Sequence, residues 1–184
     1  MRITVKIAIY AAFLWIAFKM TLFVIGVADQ TTTIAVLANI FMLLVAISTG
    51  LYVQKRSETD ETNAMVDLKN ALSAGVPYVV LTCLFIYFYY SKINPEYYAH
   101  KVANKEYEIK RMVNDPKLLK EFKKDFPDAE VMSKKQIENK LVENNKKAAS
   151  PGFTSTLATL ALLILATLYS ILLTIIFRKF IFRA

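Results

Sequence analysis

Long apolar runs alternate along this chain with short, densely charged segments. Four stretches, 7–27, 32–53, 72–91 and 153–177, contain one charged residue between them, Lys19, while the rest of the chain holds the other 37. Each run reaches the roughly 20 residues that carry a helix across the hydrocarbon of a bilayer. The pattern predicts an all-α polytopic membrane protein with four transmembrane helices. A soluble globule would scatter its charges over its whole surface, and a disordered chain would lack the runs altogether. Both are excluded.

The punctuation refines the elements. Arg2 and Lys6 precede an apolar stretch, and Gly26-Val27-Ala28 resembles a leader-cleavage site, but Lys19 interrupts the run, so 7–27 reads as an uncleaved first span. Lys55-Arg56 anchor the end of the second span. Between the second and third spans, Met65, Leu68 and Leu72 lie three and four apart and predict one interfacial turn. Pro77 falls in the first turns of the third span, where its missing N–H costs little; an earlier helix start would make it a kink site. The far end of that span is an aromatic block, Phe85 and Tyr87 through Tyr90, which reads as a headgroup-level belt.

Segment 92–152 predicts further helices. Asn94-Pro95, Asp115-Pro116 and Ser150-Pro151 each pair a capping residue with proline at a first helical position. The first pair starts a helix over 95–113 with Tyr98, Val102, Ile109 and Val113 on one face. The second starts a short helix carrying Leu118, Leu119, Phe122 and Phe126, ended by Pro127. Ser133 and Gln136 form a capping box, stapled by Met132 and Ile137, opening a helix with Ile137, Leu141 and Val142 along one stripe. The chain thus divides into 1–91 with three spans, 92–152 as a helical extramembrane loop domain, and 153–184 with the fourth span and a basic tail. About 60 residues so sparsely apolar are too few for a core of their own. Their stripes, with Leu118, Phe122, Ile137 and Leu141 as the contact face, are expected to lie on one another, on the bilayer or on another protein.

Composition adds orientation and removes some functions. The chain carries a net charge of +8, but in 92–152 bases alternate with acids as on solvated helix faces, which gives no footprint for nucleic acid. Eight Lys/Arg gather on the side of the termini and none in the 28–31 loop, so the termini are expected in the cytoplasm and 92–152 in the periplasm. Cys83, the single cysteine, has no intrachain partner and reads as a small packing residue. No internal repeat suggests a transporter built from two halves.

Candidate chemistry is thin. Lys19 sits near the midpoint of the first apolar run, where insertion scales charge a lysine about 2.5–3.5 kcal/mol. No acid occurs in any of the four runs to pair with it. It is either a polar site facing the bundle interior, with Asn39, Thr82 or a tyrosine beside it or an acid from another subunit, or a snorkelling side chain. In the fourth span, Thr156, Thr159, Thr167, Ser170 and Thr174 fall on one helical face, suited to close helix packing or to a partner. His100 is the only histidine, so no histidine-based metal site can form within the chain. Asp125, Asp128 and Glu130 lie among lysines and read as solvated loop carboxylates. With no nucleophile elbow, P-loop or dinucleotide fingerprint, neither an enzyme nor a cofactor is expected.

The chain resembles the four-span membrane proteins of Bacteroidota catalogued as domain of unknown function 4199. The resemblance rests on Leu14-Trp15 followed by Lys19, Asp29-Gln30, Lys55-Arg56, Lys69 through Gly75, Ile93 through Tyr98, the Met132-Ser133 helix start and Arg178-Lys179. Two departures accompany it: members carry a Glu-Lys pair where this chain has Lys19-Met20, and 99–130 is longer than usual. The resemblance implies an inner-membrane protein with four spans and a long loop before the last, and implies no activity. Three functions are therefore expected in order: a non-enzymatic accessory or scaffold subunit of a larger membrane complex, or a homo-oligomer; a small ion- or solute-handling transporter centred on Lys19; and a protein that engages membrane lipids through its aromatic and basic interfaces.

Overall fold

The structure is a computed structural model and describes residues 2–57, 63–126 and 129–181. Pro127 and Asp128, named above, lie outside the described residues, as does Arg183. All regular structure among the described residues is helical: α1 (Ile3–Val24), α2 (Thr32–Ser57), α3 (Ala64–Phe88), α4 (Glu96–Asn114), α5 (Pro116–Asp125), α6 (Lys134–Ala148) and α7 (Pro151–Ile176). Single π-helical turns, Tyr89–Ile93 and Phe177–Ile181, extend α3 and α7. Four of the helices are long and apolar enough to cross a membrane, which makes this a multi-pass membrane protein in architecture. The chain divides into two compact units, one of Met1–Ile86 with Ser155–Ala184 and one of Tyr87–Thr154.

Local chemistry sets the helix ends. Gly26, at φ +79°, stops α1: its N–H bonds to the Phe23 carbonyl at 3.0 Å and the Val27 N–H to Leu22 at 3.1 Å. This paired closure needs a left-handed residue, so the Gly26-Val27-Ala28 sequence that resembles a cleavage site is a helix stop. The Asp115 carboxylate accepts from the Lys117 N–H at 2.8 Å, and Ser133 with Gln136 makes the reciprocal capping box, both as the spacing predicted. Ser150 likewise accepts from the Phe153 N–H at 3.2 Å. Asn94 differs. It closes the π-helical turn, its N–H bonding to the Tyr89 carbonyl, and α4 starts only at Glu96 with no side-chain cap.

In the first unit alanines occupy many of the interior positions, beside Leu43, Ile47, Leu51 and Tyr78, while many large apolar residues face outward. Ala8, Ala12, Ala35, Ala46, Ala71, Ala74 and Ala166 are buried, whereas Phe13, Leu37, Val80, Leu160, Ile164 and Leu168 are exposed. Hydrocarbon outside the bundle removes any gain from burying leucine, so close backbone approach decides what goes inside. Gly50 lies against Ala74 and Thr4, and Gly75 against Ile47 and Ala166, so α1, α2, α3 and α7 all meet at short range. α3 starts well before the expected 72, because Asp67, Asn70, Ala71, Ala74 and Tyr78 repeat at helical spacing and all are buried. The supposed interfacial turn of Met65 and Leu68 is therefore part of this helix, and Pro77 lies in its interior.

In the second unit the three helix stripes pack on each other. Ile109, Val113, Leu119, Ala129 and Ile137 are buried together, flanked by Met112, Phe122, Leu141 and Val142. A small core exists after all, which the apolar count alone understated. Asn145 donates to the Val102 carbonyl at 3.3 Å and Lys146 pairs with Glu106 at 3.2 Å, tying α6 to α4. The tyrosine block is also not a simple belt. The π-helical turn turns Tyr89 and Tyr90 inward, and Tyr90 stacks at 5.0 Å on both Tyr97 and Tyr98, leaving Tyr87 and Phe88 exposed.

A Cβ at position 50 would meet that of Ala74 at 2.7 Å, whereas one at Gly152 would meet nothing. Gly50→Leu is expected to cost about 1–3 kcal/mol, read as an earlier midpoint of SDS-induced unfolding in mixed micelles. Gly152→Ala should leave that midpoint in place.

Candidate functional site

Three charged side chains converge at the end of the bundle that holds the chain's first and last described residues. Lys55 comes from the last turn of α2, Asp67 from the first turn of α3 and Arg178 from the π-helical turn after α7. Lys55 Nζ lies 3.2 Å from Asp67 Oδ1, and Arg178 Nη1 lies 2.7 Å from Oδ2, so each carboxylate oxygen has its own cation. The Asp67 side chain is 3% exposed, Lys55 15% and Arg178 42%. Such a carboxylate is tolerable in a near-dry site only because it is paired and hydrogen-bonded on both oxygens. A narrow crevice lined by Leu51, Thr174 and Phe177 adjoins the three charges.

The hydroxyls of α7 fall into a buried and a more exposed group. Ser170 and Thr174 are buried, and neither hydroxyl has a hydrogen-bond partner among the described residues. Thr174 and Arg178 are one turn apart, so this polar line leads from the ion cluster into the bundle. Thr159 is half-buried and donates to the Ser155 carbonyl, while Thr167 is exposed and donates to Leu163 within its own helix. Thr156 is also exposed. The predicted single face is thus split, because the buried stripe, through Leu162, Ala166, Ser170, Leu173 and Phe177, is rotated from the hydroxyl stripe.

Lys19 is buried, at 5% exposed. It lies five residues before the end of α1 rather than near its midpoint, since α1 begins at Ile3 and ends at Val24. Asp29, in the short loop that follows, acts on it electrostatically. Asn39 is buried in α2 and accepts from the Tyr78 hydroxyl at 2.6 Å on its side chain and 3.0 Å on its backbone. Trp15 similarly donates to the Ala35 carbonyl at 2.9 Å. In the second unit Phe122, Ile137 and Leu141 line one apolar pocket, but Leu118 is 40% exposed and Leu119 takes the inward position instead. No group of three or more metal-ligating side chains occurs among the described residues.

The family described as Protein of unknown function (DUF4199) matches residues 6–179. The chain belongs to that family. The match takes in Lys19 and all three members of the ion cluster. No curated protein and no solved structure matches the chain.

Sequence reading missed Asp67, and the statement that the spans carry no acid is corrected by it. With the third span expected to start at 72, Asp67 falls in the short loop before it. The signal that could have found it is periodic: Asp67 lies on the same helical stripe as Ala71, Ala74 and Tyr78, with basic residues ending the two neighbouring spans. Replacing it tests the cluster. Asp67→Ala leaves Lys55 and Arg178 facing each other, and breaking a buried pair costs about 3–5 kcal/mol, an upper bound here because Arg178 is partly exposed. Replacing Lys55, Asp67 and Arg178 together by leucine should recover most of the lost midpoint in the same SDS titration.

Proposed function

We propose that this chain is a non-enzymatic accessory or scaffold subunit of a larger assembly in the bacterial inner membrane, with cytoplasmic termini and the helical loop 92–152 on the periplasmic side. One observation carries the reading: the helices of the four-helix bundle are tied to one another by polar contacts. Asp67 bridges Lys55 and Arg178, Tyr78 holds Asn39, Trp15 holds Ala35, and Ser73 donates to Thr4 at 2.7 Å. A bundle joined in this way suits a rigid platform better than a gated path. The α7 surface bearing Thr156 and Thr167 is exposed, and its small side chains suit close approach of a neighbouring helix. The orientation is supported by Arg2, Lys6, Lys55, Arg56, Lys69, Arg178 and Lys179, seven basic residues near one end of the bundle.

A second reading, solute or ion handling at Lys19, is favoured by the burial of that lysine inside a membrane helix. The two readings part experimentally. As a subunit, the protein extracted in mild detergent co-elutes with other membrane chains or as a homo-oligomer, and Lys19→Met leaves that complex intact. Elution as a lone monomer, together with liposome flux abolished by Lys19→Met, would replace the scaffold reading with the transport one.

A further inference from the structure

The second unit holds a pocket that the proposed scaffold role does not use. Between α5 and α6, Phe122, Phe126, Met132, Ile137 and Leu141 surround a cavity of about 320 Å³. The rings of Phe122 and Phe126 lie 4.8 Å apart and form one wall, and Met132 supplies an adaptable side chain. Small-molecule sites run from about 300 to 1,000 Å³, are mostly apolar and carry a few placed polar groups. A cavity at the low end of that range has the size for one alkyl chain. A second hollow of about 500 Å³ shares Phe122 and Leu141 and extends the space toward Ile109 and Met112.

The polar lining is two residues one turn apart on α6, Lys140 and Asn144. Three lysines nearby are engaged: Lys146 with Glu106, Lys147 with Glu143, and Lys123 with the carbonyls of Glu130 and Met132. Lys140 makes no ion pair among the described residues. An apolar slot with an uncommitted ammonium and an amide donor on its lining is complementary to a chain that ends in an anion.

We propose that this pocket binds the single alkyl chain of an anionic amphiphile, a fatty acid or a lysophospholipid, with the chain against Phe122, Phe126 and Ile137 and the acidic head on Lys140 and Asn144. The chain's attachment between two membrane spans keeps the pocket close to a supply of such molecules. The binding is independent of the scaffold reading and needs no partner protein.

The test uses the full chain in lipid nanodiscs with two diazirine-bearing probes, a medium-chain fatty acid and a lysophosphatidylglycerol, with adducts mapped by mass spectrometry. The expected adducts fall on α5 and α6 within the pocket lining, are competed by unlabelled laurate and are not competed by its methyl ester. Which probe labels more strongly assigns the head group. Lys140→Glu reverses the charge at an exposed position without touching the core, and should reduce labelling about fivefold, the size of one weakly screened ion pair. Leu141→Trp should reduce it by filling the slot, while Lys135→Glu, also exposed on α6, should leave it unchanged. Adducts confined to the four membrane helices, labelling equal in wild type and Lys140→Glu, or a peptide cross-linked in the pocket in place of the probes would overturn the proposal.

Discussion

Hydrocarbon solvates neither a peptide group nor a charge, and the arrangement of this molecule follows from where each polar group finds a substitute for water. The backbone is satisfied by helix formation alone, which is why four long helices recur and the connection between the first two is so short. Side chains follow the same requirement. The Trp15 indole reaches the Ala35 carbonyl, the Tyr78 hydroxyl reaches Asn39, and Thr82 bonds back to Tyr78 and Val79 in its own helix. Because lipid is as apolar as leucine, many large aliphatic residues stay outside, and alanine and glycine share the interior with Leu43, Ile47, Leu51 and Val79.

In the ion cluster full charges meet inside that scheme. A buried pair is weak support for stability when weighed against apolar residues of the same shape. Its stronger effect is geometric. Asp67 can satisfy both cations only when the ends of α2, α3 and α7 are in one relative register, so the cluster selects a single packing where alanine stripes alone would tolerate sliding. The π-helical turn that carries Arg178 adds one residue to its turn and re-aims the faces beyond Ile176.

What the sequence shows, it shows where the physics is local or absolute. The spans are legible because bilayer thickness fixes their length, and the caps at Asp115, Ser133 and Ser150 are legible because each bond closes within three residues. Asp67 was hidden because its partners lie 12 and 111 positions away in the chain. The inward turn of Leu119 in place of Leu118 hinges on about 100° of helix rotation, which an apolar count does not resolve. Tyr89 and Tyr90 turn inward because a π-helical turn adds a residue, and no composition rule announces it. Lys19 was placed too deep because α1 begins four residues before the apolar run does.

The central claim is that hydrocarbon, rather than protein or water, covers the outer faces of α1, α2, α3 and α7. Spin labels at cysteines placed one at a time at Leu160, Ile164, Leu168 and Ala166, in a Cys83→Ser background in nanodiscs, measure this directly through collision with oxygen and with a water-soluble nickel chelate. High oxygen and low nickel accessibility at the three outward positions, with both falling at Ala166, is the expected result. Nickel accessibility equal to that of an exposed site such as Lys135 would contradict the account.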